Sequence, residues 1–346
     1  MLRDSRRPES TGEPLRICYD PGNIDSVAAV LLPDAAQLPS PRPVPKLLIT
    51  GHTGFVGRVL AEHVTAEHGD RWNLATLAEH QDVRDPKLGD HIAPLRADAV
   101  IHLAARTSVS ESFQDPDGYF DVNFQGTLNL LRALRTSGFR GRFLYVSSGD
   151  CYGTIDEAQL PVDELQPLRP RNPYAVSKVA TEALCFQWSQ TEGLDAIIAR
   201  PFNHIGQGQD ERFVVPSLVK QVCSIRDGRS PNEIVAGNLE VTRDLTDVRD
   251  VVKAYIALLE KGRKGHVYNI GSGREVRIRD VLGLLLDLAN VNARVTTDPQ
   301  RTRRDEQLRM RADVAKIKSH TGWTSRIPLD ESLRDILAAP TDRLPT

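Results

Sequence analysis

The 346 residues, 40% of them hydrophobic, suffice for one large core or two smaller ones. A formal net charge of −2 supplies no broad basic field, which sets aside nucleic acid as a partner and leaves an anionic small molecule open. Cys18, Cys151, Cys185 and Cys223 stand far apart with no Cys-x-x-Cys pair, and no apolar run reaches the roughly 18 residues of a membrane span, so the expectation is free thiols, no metal, no membrane partner and a cytoplasmic location.

Residues 1–45 carry prolines from Pro8 to Pro45 that interrupt regular structure repeatedly, and they read as an N-terminal extension, disordered or loosely packed; Ile24 to Leu32 alone is helix-compatible. From Lys46 the pattern changes. The apolar run Leu47-Leu48-Ile49-Thr50 predicts a strand that ends in glycines, and Phe55 to His68 predicts a helix. Trp72 to Leu77, Ala99 to Leu103, Phe143 to Ser147 and Asp195 to Arg200 are further strand-length apolar runs with helical stretches between them. This alternation implies an α/β fold, a Rossmann-like doubly wound parallel sheet buried on both faces. Beyond Pro201 the order loosens, with helices predicted at Val214 to Arg226, Val248 to Glu260 and Arg279 to Ala289. The expected organisation is a core over 46–200 and a smaller, discontinuous C-terminal portion over 201–337, partly interleaved with it.

Gly51-His52-Thr53-Gly54-Phe55-Val56-Gly57 follows the first strand directly. A chain that turns tightly there into a helix presents backbone N–H groups to a pyrophosphate, and glycine is the residue that lets the phosphate approach. The spacing is G-x-x-G-x-x-G, not the simpler G-x-G-x-x-G, so its weight comes from the strand before and the helix after. The core is therefore expected to bind a dinucleotide. Near the end of the second strand a carboxylate favours NADH and an arginine NADPH; Glu79 and Arg84 are both placed to serve, and the choice between the cofactors stays open. Asp82-Val83 reads either as a contact to the adenine or as a solvated acidic turn.

Ser148 follows the fourth strand, and Tyr174 and Lys178 lie four apart, on one face of a helix that starts after Pro173. A lysine ammonium beside a phenol favours the phenolate and lowers its pKa, so Tyr174 is expected to exchange a proton while Ser148 holds the substrate oxygen.

Together, Gly51 to Gly57, His102-Leu103-Ala104-Ala105, Asn123 in Val-Asn-Phe-Gln-Gly-Thr, Tyr145-Val-Ser-Ser148, Tyr152-Gly153 and Tyr174 to Lys178 resemble the extended short-chain dehydrogenases/reductases, the NAD-dependent epimerase/dehydratase family, from Lys46 to Leu337. The resemblance implies that the nicotinamide stacks near Leu103, Ala104 and Ala105, that Lys178 holds its ribose and that Asn123 supports the active-site helix. It also implies a homodimer formed through two helices, Asn123 to Ser137 and Tyr174 to Ser189. The second half is similar to members that act on GDP-sugars, the GDP-6-deoxy-D-mannose reductases above all, in Arg200 to Gly206, in Arg212 to Pro216 and in the Ser-Ser-Gly-Asp-x-Tyr-Gly stretch. Asp150, Asn203, Arg243, Arg303 and Glu306 are then the expected substrate-binding residues, the arginines embracing a diphosphate. The late run Arg301 to Arg311 reads either as phosphate-binding or as a solvated basic loop.

Sibling 4,6-dehydratases follow the serine or threonine with a carboxylate or serine and then a glutamate that expels water. Here Gly149 and Asp150 stand in those places. The activity implied is reduction of the C4 ketone of GDP-4-keto-6-deoxy-D-mannose to GDP-D-rhamnose. The alternatives are a GDP-mannose 4,6-dehydratase or another nucleotide-sugar epimerase/dehydratase and, from a different class, a non-catalytic dinucleotide-binding protein.

Overall fold

The apolar runs after residue 45 form strands because each is long enough to cross a sheet and apolar enough to be covered on both sides. The computed structural model describes residues 44–78, 81–298 and 307–339. Residues 1–43, including Cys18 and the stretch Ile24 to Leu32, lie outside the described residues, as do Glu79, Arg303 and Glu306.

The chain begins with β1 (Lys46–Thr50), α1 (Phe55–Glu67), β2 (Asn73–Thr76), a short α2 (Leu88–Ile92) and β3 (Ala99–His102). It continues with α3 (Val109–Ser112), α4 (Pro116–Phe120), a π turn at Asp121–Gln125 running into α5 (Gly126–Thr136), then β4 (Arg142–Val146), α6 (Pro173–Thr191) and β5 (Asp195–Pro201). Then come β6 (Asn203–Ile205), α7 (Val214–Arg226), β7 (Glu233–Ala236), β8 (Thr242–Arg243), β9 (Leu245–Asp247) and α8 (Val248–Lys261). The last elements are β10 (Val267–Ile270), β11 (Val276–Arg277), α9 (Ile278–Ala289), β12 (Arg294–Thr297), α10 (Ala315–Thr321) and α11 (Leu329–Ala338).

Six strands form one parallel sheet in the order β2-β1-β3-β4-β5-β10, with Leu48 of β1 opposite Ala75 of β2 and Val100 of β3. Alternate strand residues divide the core. Leu47, Ile49, Ile101, Leu144 and Ala199 pack with α1 and α8 on one face. Leu48, Val100, Phe143 and Ile198 pack with α5 and α6 on the other. The order reverses between β1 and β3, and the crevice beyond the strand ends at such a switch point is where this architecture holds ligands.

The sixth strand and α8 both come from beyond residue 200. β10 escapes an apolar-run reading because buried Asn269 interrupts it: the side chain accepts from the Tyr152 hydroxyl at 2.6 Å and donates to Val162 O at 2.9 Å. A separate apolar cluster joins α7, β7, α9 and α11 through Leu218, Ile234, Leu282 and Leu333. No described helix is long and apolar enough to cross a membrane.

Candidate active site

The turn after β1 depends on its glycines. Gly51 has φ +72°, and a Cβ on it would stand 2.7 Å from Ala104 N; a Cβ on Gly57 would stand 2.1 Å from Gly51 O. Backbone packed this closely excludes any side chain. The first turn of α1 holds no acidic residue, and Gly54 at its N-cap offers no side chain to its N–H groups. Those groups and the positive end of the helix dipole therefore face the crevice, as a pyrophosphate requires. Two neighbouring cavities share Gly51 and Ala105 in their walls. One, of about 390 Å³, is lined by Thr53, Asp82, Val83, Arg84 and Ala104. The other, of about 500 Å³, is lined by Gly54, Phe55, Val56, Gly57, Leu103, Ser148, Tyr174 and Lys178. The glycine turn stands between the two cavities, in the wall of both.

Asp82 spends its carboxylate on Arg84, at 3.0 and 2.8 Å, and Arg84 also reaches Asp121 at 3.1 Å. Of the two groups expected near the adenosine ribose, Glu79 lies outside the described residues and Arg84 lines the smaller cavity from within this cluster.

α6 places the reacting groups. The Asn172 side chain accepts from Ala175 N at 2.7 Å and Pro173 opens the first turn, so Tyr174 sits at the helix entrance with Lys178 one turn further on. Tyr174 is 7% exposed and Lys178 4%. Ser148 lines the cavity with Tyr174, near enough to its phenol to influence it, and its Oγ accepts from Asp150 N at 3.2 Å. Burial, reinforced by the Asp150 charge, pushes the Tyr174 pKa up, and Ser148 opposes this without overcoming it. Lys178 stands one helical turn beyond the phenol. Its Nζ donates to Val146 O at 2.8 Å and stands 6.0 Å from the Tyr174 ring centroid, and its own pKa is pushed down to about 8 by burial.

Asn123 lines neither cavity. It is buried in the π turn, where Oδ1 accepts from Arg106 N at 2.8 Å and Nδ2 donates to Arg106 O at 3.1 Å and to Ser177 Oγ at 2.9 Å. It clips the segment after Ala105 to α6, a bracing place behind the cavity. A residue that sequence reasoning missed stands behind Lys178. Glu182, one turn on, accepts from Arg200 Nε at 2.9 Å and from Ser147 Oγ at 2.5 Å, forming a buried pair with Arg200. The four-residue step from Lys178 to Glu182 was the available signal.

On the far side, Asp150 lines the larger cavity, and Asn203 and Arg243 line both it and a third cavity of about 660 Å³ walled by Phe213 to Leu218, Asn238 and Ile278. Arg243 donates to Thr242 O at 2.8 Å and to Gln307 O at 2.7 Å, tying β8 to Gln307. Arg212 also lines both cavities and pairs with Asp210 at 2.8 Å. Arg58 and Arg171, which no motif flagged, line the larger cavity as well. A Cβ on Gly149 would stand 3.2 Å from the Phe202 ring, so the ring crowds the space a side chain there would need.

The sequence model of the family described as GDP-mannose 4,6 dehydratase matches residues 48–336. A GDP-6-deoxy-D-mannose reductase of Pseudomonas aeruginosa is 47% identical over 294 residues, covering 85% of this chain and 96% of the relative. A dTDP-glucose 4,6-dehydratase of Streptomyces antibioticus is 34% identical, covering 83% of this chain and 90% of the relative. Among solved structures, RMD from Pseudomonas aeruginosa complexed with NADPH superposes with a TM-score of 0.81 at 46% identity, over 85% of this chain and 98% of that one. DesIV, a dTDP-glucose 4,6-dehydratase from Streptomyces venezuelae with NAD and TYD bound, gives 0.74 at 27% identity, over 84% of this chain and 95% of that one.

Proposed function

From the premise that the chain belongs to the GDP-mannose 4,6 dehydratase family of extended short-chain dehydrogenases/reductases, we propose that it reduces the C4 ketone of GDP-4-keto-6-deoxy-D-mannose to GDP-D-rhamnose, with NADPH or NADH as reductant. The observation that carries this reading is the pairing of a buried Tyr174 with Ser148-Gly149-Asp150 in one cavity wall. A ketone reduction needs one proton donor, and Tyr174 is one. An elimination needs a further acid at the departing hydroxyl, and Gly149 supplies no side chain for it, with the Phe202 ring close enough to crowd one. Asp150 is one methylene shorter than the glutamate of the dehydratases, a difference that matters when proton transfer requires heavy atoms about 3 Å apart.

When bound, the reduced nicotinamide supplies the hydride. Ser148 Oγ hydrogen-bonds the C4 oxygen and polarises the carbonyl, and Tyr174 gives its phenolic proton to the same oxygen. Lys178 holds the nicotinamide ribose, the glycine turn holds the phosphates, and Asp82 and Val83 border the adenine. Asp150 and Asn203 face the sugar, and Arg243, with Arg303 and Glu306 of the basic turn, is assigned to the diphosphate and its ribose. The core up to β5 serves the cofactor, and α7, α9 and α11 with their strands serve the GDP-sugar. Phe113 is 55% exposed and Phe186 54%, and these rings beside α4 and on α6 fit a homodimer. Cys151, Cys185 and Cys223 are free and buried, in keeping with a cytoplasmic protein.

The test is to incubate the purified protein with GDP-4-keto-6-deoxy-D-mannose and either NADPH or NADH, and separately with GDP-mannose, following cofactor absorbance and sugar products. Oxidation of the reduced cofactor with the keto-sugar, yielding GDP-D-rhamnose, supports the reductase and ranks the two cofactors. Conversion of GDP-mannose to the keto-sugar without added reductant would sink it.

A further inference from the structure

A second tyrosine reaches the same cavity from below, and the chemistry above does not use it. Tyr255 on α8 is 0% exposed and packs within the apolar cluster of Val146, Ala199, Ile270 and the α1 face of the sheet. It also lines the cavity of Ser148 and Tyr174. Its hydroxyl finds no hydrogen-bond partner among the described residues. A hydroxyl desolvated without a partner opposes folding, and phenylalanine would fill the same space without that cost. The hydroxyl is covered at the cavity's wall, so a molecule seated in the cavity supplies the partner by a small shift of that wall.

The topology says which molecule. α6 covers one face of the sheet and carries Tyr174 and Lys178 over the strand ends; α8 covers the other and carries Tyr255. The two phenols thus approach the ends of β3, β4 and β5 from opposite faces, with Leu103, Val146 and Pro201 lining the cavity at those ends. On the reading above, the phosphates belong to the glycine turn, the adenine to the smaller cavity and the ribose to Lys178. The nicotinamide's remaining polar group is its carboxamide, which offers an N–H donor and a carbonyl acceptor, and a hydroxyl can meet either.

We propose that Tyr255 is a cofactor-positioning residue whose hydroxyl hydrogen-bonds the nicotinamide carboxamide and so fixes which face of the ring is turned toward the substrate beside Tyr174. The proposal rests on the nicotinamide-dependent reading of the site. It is tested by binding, without turnover. The dissociation constants of NADPH and of 2′-phospho-ADP-ribose, the same molecule without its nicotinamide, are measured for the wild type and for Tyr255→Phe, with NADH and ADP-ribose as the matching pair. The Tm of each free protein is measured alongside.

The expected result is about tenfold weaker binding of the complete reduced cofactor, the ~1.4 kcal/mol of one hydrogen bond. Binding of the truncated molecule stays unchanged, and Tm is unchanged or higher because the orphan hydroxyl is gone. Equal affinities in the two proteins, or an equal loss for complete and truncated molecules, overturn the proposal while leaving the dinucleotide site standing. A wild type that binds neither NADPH nor NADH overturns that site and this inference together.

Discussion

Tyr174 can donate a proton to a ketone only if it holds one when the substrate arrives, as an ordinary phenol of pKa about 10 does near neutral pH, and burial moves it further the same way. Tyr174→Phe keeps the ring and removes the proton. Turnover is expected to fall by about 100- to 10,000-fold, with cofactor affinity nearly intact, measured as kcat beside an NADPH titration. Lys178 moves the other way. Burial lowers its pKa from 10.5 to about 8, so between those values the unfolded chain binds a proton that the folded chain lacks. Stability from this group therefore rises with pH across the window from about 8 to 10.5, and below about 8 the full burial penalty remains. Comparing urea midpoints near the two ends of that window should reveal a rise in the wild type, on the order of 3 kcal/mol at most, that is reduced in Lys178→Met. An identical rise in both proteins would assign it to other groups.

The elements explain why part of the site was legible and part was not. A tyrosine and a lysine four apart after Asn172-Pro173 identify one helix face, because the cap and the helical period are local properties of the chain. The same holds for β1 to β5, whose apolar runs are nearly unbroken. β10 hides because Asn269 serves Tyr152 across the fold, and Tyr255 hides because a tyrosine in an amphipathic helix reads as core until the cavity is seen. The partner of Lys178 was illegible for a related reason: spacing sets which face two side chains share, whereas Nζ follows the nearest buried acceptor, Val146 O. Asn123 belongs to the same scale. Its π turn presses an amide between the loop after β3 and α6. Asn123→Ala leaves Arg106 and Ser177 short of partners, and a loss of about 2 to 3 kcal/mol in denaturant unfolding is expected. kcat should fall as well, through displacement of α6. An unchanged unfolding midpoint would mean that the amide braces nothing.

Across the whole molecule, the helix that carries Tyr174 and Lys178 also carries an unburied apolar stripe. Val176 and Phe186 are exposed along α6, as are Phe113 and Phe120 beside and on α4. Exposed apolar side chains on neighbouring helices mark an association face, and two copies of this chain related by a two-fold axis would set α4 to α6 of each against the same elements of the other. Phe186→Glu places a charge in the middle of such a face, where it would be buried without a partner in the dimer and solvated in the monomer. The mass measured by light scattering should then fall from that of two chains to that of one. Because Phe186 is more than half exposed on α6, the fold of each copy should survive, which circular dichroism would verify. Removing the neighbouring copy leaves only one side of α6 packed, so Tyr174 is held less firmly beside Ser148 and kcat should drop while cofactor affinity, set mainly by the glycine turn on α1, changes little. A variant that stays dimeric would move the interface to another face, and a monomer with full kcat would show that the catalytic helix needs no support from its neighbour.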